Sequence, residues 1–317
     1  MVDLKVAVLG ATPNRIGYHH AREFYKVGAN LVAVLRSSED GARCSAGVLE
    51  ENFGNRPAPY WNLECLLEKE NPDAVSVCTP KEKHYEHAKL ALLSGAHVLC
   101  EKPVYWDSSK TPAQNLSEAE ELFRLAAERK RVFTVNTQLV YLLDQYLVDY
   151  GAAARDRLEF ELITAGKGSG LEIPIDLLPH ALSFLLRAWQ IKDIKGIKGA
   201  YSADETNLLI NLDADKNTAA CINLGKQGAK KLRFGFEGAY VTRESKNGSG
   251  NEIDYYLQRS DNGTQIPVDD ALKVSVSRFV RSVIEHNPQL LLVPPEESLA
   301  NIRLQSEIME HLLSSGN

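Results

Sequence analysis

Short, continuously apolar runs alternate with segments of helical spacing through the first 137 residues. "LKVAVLG" (4–10), "NLVAVLR" (30–36), "DAVSVCT" (73–79), "AHVLCE" (96–101) and "RVFTVNT" (131–137) read as strands. Between them, residues 17–28, 40–54, 62–72, 83–95 and 117–130 carry the pattern of amphipathic helices, the last of them capped. β-branched runs with no polar alternation are strands buried on both faces, and helices between them cover those faces. The pattern predicts a doubly wound α/β domain with a parallel sheet over residues 1–137.

Beyond residue 137 the rhythm changes. A helix over 138–150 precedes "DRLEFELITAG", which alternates apolar and polar like a strand with one solvated face. A second helix is expected over 174–190. Strand-like pieces then follow one another at 194–203, 206–214, 218–225, 230–236, 239–244 and 252–258, with Gly, Asn and Asp at the turns. Helices over 270–286 and 295–314 close the chain. Consecutive strands without helices between them predict an α+β domain over 138–317, built on an open-faced, mostly antiparallel sheet. The two closing helices can pack back on the first domain. No internal repeat or low-complexity segment interrupts this organisation.

Composition narrows the function. The 317 residues are 44% hydrophobic and 25% charged, ordinary for a globular protein, and the formal charge is −6. A pI near 5.8 argues against nucleic acid as the main partner. No stretch has the ~18 continuous apolar residues of a membrane span. The N-terminus enters a strand with neither a basic lead nor a signal-type apolar core, so no membrane partner is expected. Five scattered cysteines, never at metal-ligand spacing, fit free thiols in a reducing cytoplasm and give no metal site.

The first strand runs into "VLGATPNRIGYHHA". A dinucleotide-binding Rossmann domain needs glycine where strand turns to helix, so that backbone N–H groups and the helix N-terminus can meet a pyrophosphate. Gly10 and Gly17 bracket this turn, but it is longer than the usual G-x-G-x-x-G and lacks the middle glycine. Thr12, Asn14, Arg15 and Ile16 complete the expected cofactor-binding turn. At the end of the second strand, where NAD enzymes place an acid for the ribose, stand Arg36 and Ser37. A guanidinium holds a 2′-phosphate rather than accepting hydroxyl bonds, so NADP is favoured over NAD.

The strand "AHVLCE" ends in Glu101, Lys102 and Pro103, with Tyr105 and Trp106 close behind. Carboxyl ends of parallel strands open onto the ligand crevice. An isolated Glu-Lys-Pro is an ordinary surface pair. Here the lysine is poised, in an apolar cleft beside a nicotinamide, to exchange a proton with the substrate atom whose carbon exchanges hydride. Glu101 can hold that lysine in place.

The stretch 76–103 closely resembles the Gfo/Idh/MocA oxidoreductases. Thr79, Pro80, His84, Gly95, His97, Val98, Glu101, Lys102 and Pro103 match the family pattern in order, and Gly17, His20 and Ala21 match its Gly-x-x-His-Ala. The resemblance implies an N-terminal Rossmann domain with the cofactor, in which Thr79, Pro80, His84, Glu101 and Lys102 contribute to the cofactor site. It also implies a C-terminal sheet domain, with substrate between the two, and association of subunits through the open sheet face as a homodimer or homotetramer. The family's second-domain Asp-x-x-x-His is matched by Asp176 and His180 in "LEIPIDLLPHALSFLL", four residues apart on one helix face. His180 can share proton transfer with Lys102, and Asp176 can orient a substrate hydroxyl or amine; Tyr105 and Trp106 can flank the substrate.

The chain departs from the family at Ser183, where an aspartate is common, at Leu178 in place of glycine, and at Lys81 after Thr-Pro. The expectation is therefore an NADP-dependent oxidoreductase acting on a small polar molecule such as a sugar or cyclitol. Reduction of a non-sugar carbonyl or imine is the alternative within that class. A non-catalytic NADP-binding regulatory protein is the alternative outside it.

Overall fold

The computed structural model describes residues 4–150, 156–189, 191, 194–199, 206–214, 218–248 and 253–315. The chain divides into two compact units, Met1–Gln138 with Leu272–Leu299, and Leu139–Ala271 with Ala300–Asn317. In the first unit, β1 (Lys5–Leu9), β2 (Asn30–Leu35), β3 (Ala58–Tyr60), β4 (Ala74–Val77), β5 (His97–Glu101) and β6 (Phe133–Asn136) form one sheet. Its order is β3-β2-β1-β4-β5-β6 and every pairing is parallel. The order turns back between β1 and β4, and such a switch point is where doubly wound sheets bind ligands. Helices α1 (Ile16–Lys26), α2 (Glu39–Phe53), α3 (Leu63–Glu70), α4 (His84–Leu93) and α5 (Pro112–Arg129) connect the strands.

Two elements here differ from the sequence expectation. β3 is three residues long and contains Pro59, which confines it to the sheet edge and hides it from any periodicity test. α5 begins at Pro112 rather than 117. Thr111 accepts from Gln114 N (3.2 Å) while Gln114 Oε1 accepts from Thr111 N (2.9 Å), a reciprocal cap that starts the helix a turn early.

The second unit holds an eight-stranded sheet in the order β14-β13-β12-β11-β7-β10-β9-β8. Its strands are β7 (Arg157–Thr164), β8 (Ile194–Gly199), β9 (Asn207–Ala214), β10 (Ala219–Lys226), β11 (Lys231–Phe236), β12 (Ala239–Asn247), β13 (Ile253–Arg259) and β14 (Gln265–Val268). All pairings are antiparallel except β7 with β10. Four-residue β14 escaped the sequence pattern; residues 200–203 of the expected strand 194–203 lie outside the described residues. Leu158, Phe160, Leu162, Leu232, Phe234 and Phe236 are buried on one face. There Phe184 of α7 (Glu172–Trp189) meets Phe160 and Phe234 edge-on, each 4.9 Å between centroids. Tyr146 of α6 (Val140–Tyr150) packs on Phe234 and donates its hydroxyl to Ala239 O at 2.8 Å. The opposite face carries ion pairs such as Lys231–Glu161 at 2.6 Å.

The end of the chain serves both units. α8 (Ala271–Ile284) places Leu272, Val276, Phe279, Val280 and Val283 in the core cluster of the first unit, beside Val6, Phe24 and Leu31. α9 (Pro295–Ser315) starts in the first unit and continues, from Ala300, in the second. Among the described residues no helix is long and apolar enough to cross a membrane.

Candidate active site

The turn after β1 is shaped by contacts that only glycine permits. Gly10 has φ +87°, and a Cβ there would lie 2.4 Å from Cys78 O on β4's extension; a Cβ on Gly17 would lie 2.3 Å from Gly10 O. Strand and helix therefore touch through bare backbone. Thr12 N donates to Gly10 O, Thr12 O accepts from Arg15 N, and Asn14 takes a left-handed conformation at φ 59°. Arg15 is the N-cap of α1 but its side chain caps nothing, and Ile16 opens the helix. An uncapped helix start above a glycine-lined turn suits a pyrophosphate, so the residues fit the dinucleotide expected from the sequence. At the end of β2, Arg36 is half-buried and gives one N–H to Ser45 Oγ (2.9 Å), which holds the guanidinium against α2. Ser37 is exposed, and Ser38 caps α2 by accepting from Gly41 N.

At the end of β5 the buried carboxylate of Glu101 is the centre of a polar cluster. It accepts from His20 Nε2 (2.9 Å) and Asn136 Nδ2 (2.5 Å). Ser275 Oγ of α8 donates to Asn136 Oδ1 (2.7 Å), and the other ring nitrogen of His20 meets Ser76 Oγ (2.8 Å). Burial pushes the Glu101 carboxyl up, but the His20 bond and charge, with Lys102 and Asn136, outweigh it and hold the group below its usual range. For His20, burial opposes the charged form, yet Cys78 and Glu101 raise its pKa. The result is a buried imidazolium–carboxylate pair at the root of Lys102. Lys102 itself is half-exposed and leads into a cis bond to Pro103.

His84, expected at the cofactor, is buried, and its two ring nitrogens face backbone: Pro103 O at 2.8 Å and Thr79 O at 2.7 Å. Burial lowers its pKa, and the neutral ring has a single N–H to give to one carbonyl or the other. It ties the end of β4 to the exit of β5, and so braces the loop carrying Lys102. Thr79 also meets His87 Nδ1 through its hydroxyl (3.0 Å), and Pro80 is exposed. In place of an aromatic flank open to substrate, Tyr105 and Trp106 are both buried. Tyr105 packs on Tyr85 of α4, and its hydroxyl accepts from Lys110, which pairs with Glu118 of α5.

In the second unit Asp176 and His180 lie one turn apart on α7, with Pro179 between them. Proline cannot donate to the carbonyl four residues back, Ile175 O. Gln305 Nε2 of α9 reaches that carbonyl instead (3.1 Å), and Asn301 Nδ2 bonds Pro179 O (2.8 Å) and Ser183 Oγ (2.9 Å). The serine that replaces the family's common aspartate thus joins α7 to α9. Asp176 Oδ2 is 3.0 Å from Lys226 Nζ, a lysine only 8% exposed at the end of β10. Sequence reading missed Lys226, Asn136 and Ser275, since each comes from an element far along the chain. His20 was visible only as a motif match.

Residues 4–137 match the family described as oxidoreductases with an NAD-binding Rossmann fold, Gfo/Idh/MocA. UDP-N-acetylglucosamine 3-dehydrogenase of Acidithiobacillus ferrooxidans is 26% identical over 308 residues, 91% of each chain. D-glucoside 3-dehydrogenase of Escherichia coli is 33% identical over 142 residues, 44% of this chain and 36% of that protein. A solved structure of the Acidithiobacillus enzyme superposes with a TM-score of 0.74 at 20% identity, covering 99% of both chains. A 3-ketoreductase from Actinomadura kijaniata, solved with NADP and TDP-benzene, gives 0.74 at 19% identity, covering 100% of this chain and 98% of that one.

Proposed function

We propose that this chain, which belongs to the Gfo/Idh/MocA oxidoreductases, transfers hydride between NADP and a ring carbon of a sugar-like substrate, with Lys102 moving the proton. The observation that carries this reading is the setting of Lys102. It leaves the carboxyl end of β5, one strand in from the edge of a parallel sheet, directly after a carboxylate fixed by His20 and Asn136. A lysine on a strand end has its backbone fixed, which confines the region its Nζ can reach, as general acid–base catalysis requires. The relatives named as sugar 3-dehydrogenases support the sugar-like class.

The bound cofactor supplies the hydride chemistry. Gly10, Thr12, Asn14, Arg15 and Ile16 would hold its pyrophosphate at the start of α1, Thr79 and Pro80 would line its path at β4, and Arg36 with Ser37 would meet the 2′-phosphate. In the oxidative direction the substrate hydroxyl would give its proton to the neutral amine form of Lys102 Nζ, with the carbinol hydride going to the oxidised cofactor; in reduction the Lys102 ammonium would return the proton. His180 is assigned as the second proton-handling group, and Asp176, held by Lys226, as acceptor for a substrate hydroxyl.

Turnover of a panel of sugars and nucleotide sugars, followed by NADPH fluorescence, tests this. Lys102→Ala is expected to lose about 10²–10⁴-fold in kcat, far more than it loses in NADPH affinity. In the same assay Arg36→Asp weakens NADPH far more than NADH. Undiminished turnover in Lys102→Ala removes the proton role, and equal weakening of both nucleotides removes the phosphate role.

A further inference from the structure

A cavity of about 280 Å³ opens in the second unit on the helix-facing side of β7, β11, β12 and β13. Leu162 and Leu232 form its floor, and Lys230, Arg243 and Tyr255 surround it. Strand alternation and register put the floor and Arg243 on one face: Arg243 pairs with fully buried Leu257, and Tyr255 with Ser245. We propose that this cavity is a phosphate-binding subsite for the substrate, so that the sugar carries a phosphate or diphosphate on its anomeric carbon. The proposal rests on the functional reading above and narrows its substrate class.

Arg243 makes the strongest case. Its guanidinium carbon lies 4.3 Å from the centroid of the Tyr255 ring, which fixes the plane of the group without using its N–H donors. Its Nε is buried and has no hydrogen-bond partner among the described residues. A buried donor left unpaired is unfavourable, and a ligand oxygen is the natural acceptor. A flat guanidinium with free edge donors matches the oxygens of a phosphate.

The charge balance points the same way. Lys231 is engaged by Glu161 at 2.6 Å, and among the described residues Glu244 is the one carboxylate in the lining. Lys230 and Arg243 therefore leave the cavity with an excess of positive charge. A neutral sugar needs no such excess, whereas a phosphate needs it. The cavity also continues from the residues assigned to the sugar ring. Thr164, in its lining, is the register partner of Lys226, one interstrand step of about 4.8 Å away. Lys226 in turn holds Asp176, one helical turn before His180.

The test is calorimetric titration of the full chain, saturated with NADPH so that phosphates cannot enter the dinucleotide site. The probes are UDP, inorganic pyrophosphate, N-acetylglucosamine 1-phosphate and N-acetylglucosamine. Phosphorylated probes are expected to bind, and Arg243→Gln to weaken them at least tenfold while leaving NADPH affinity unchanged. Lys230→Gln, at an exposed position, weakens them several-fold. Arg233→Gln, on the opposite sheet face, changes nothing. UDP binding tighter than pyrophosphate identifies a nucleotide-linked sugar, and equal affinity a simple sugar phosphate. The proposal is overturned if no phosphorylated probe binds the wild type, or if all bind Arg243→Gln equally well. Because binding is read without turnover, Lys102-dependent oxidation of a neutral sugar with no UDP binding would discard the subsite and leave the catalytic reading intact.

Discussion

Glu101 and Lys102 are neighbours in sequence, and the strand-end rule brings both forward. What that rule cannot supply is the identity of the groups around Glu101. The sequence reading gives Glu101 the task of holding Lys102; the groups that hold its carboxylate in turn are His20 and Asn136, from α1 and β6. Buried polar residues need partners, so each one in an apolar run implies another, but not which. His97 shows the same logic with a measurable outcome. Val132 N–H donates to His97 Nδ1 at 2.9 Å, so that nitrogen must stay bare. Burial, then the positive charges of Arg131 and His286, push its pKa down from 6.5 to about 4. Between those values the unfolded chain binds a proton that the folded chain does not. This contribution to stability is complete above about pH 6.5 and lost as pH falls through about 4. Chemical denaturation across that range should show the wild type losing stability more steeply than His97→Gln, which keeps an acceptor but does not titrate. Parallel curves would disprove the assignment.

Elements were legible where burial left an unbroken apolar pattern. The other five strands of the first sheet and α7 announce themselves, β4 and β6 with only four residues each because all four are buried; β3, with three residues and a proline, and β14, with a proline and no buried position, do not. On α7 the spacing of Asp176 and His180 was readable, but not what makes a proline between them tolerable. The answer is the side chain of Gln305, which replaces the missing donor at Ile175 O. Gln305→Ala should therefore cost about 1–3 kcal/mol in urea denaturation, the penalty of an unpaired buried carbonyl. In a Pro179→Ala background, where the helix can supply its own N–H, the same change should cost clearly less. Equal costs in both backgrounds would show that Gln305 acts elsewhere.

At the scale of the molecule, the family match ends at residue 137, but the first unit does not. Phe279 is fully buried against Phe24, with ring centroids 6.2 Å apart, and Thr134 Oγ1 donates to Val293 O at 2.6 Å. Residues 272–299 are thus part of this core, a return that local sequence pattern leaves open because two amphipathic helices fit many apolar surfaces. A fragment of residues 1–138 should bind a hydrophobic dye and melt without cooperativity. Joining it through a short flexible linker to residues 272–299 should restore a sharp transition. A cooperative melt of 1–138 alone would show that α8 only decorates the unit.

The bond from Ser275 to Asn136 spans 139 residues. A ribosome adding roughly 5–20 residues per second needs on the order of ten seconds to cover that interval. Throughout it, the nascent sheet waits with Val6, Phe24 and Leu31 lacking the helix that will cover them. The newborn chain should therefore be an avid client of holding chaperones during synthesis, released only when residues 272–299 arrive to seal what was built first.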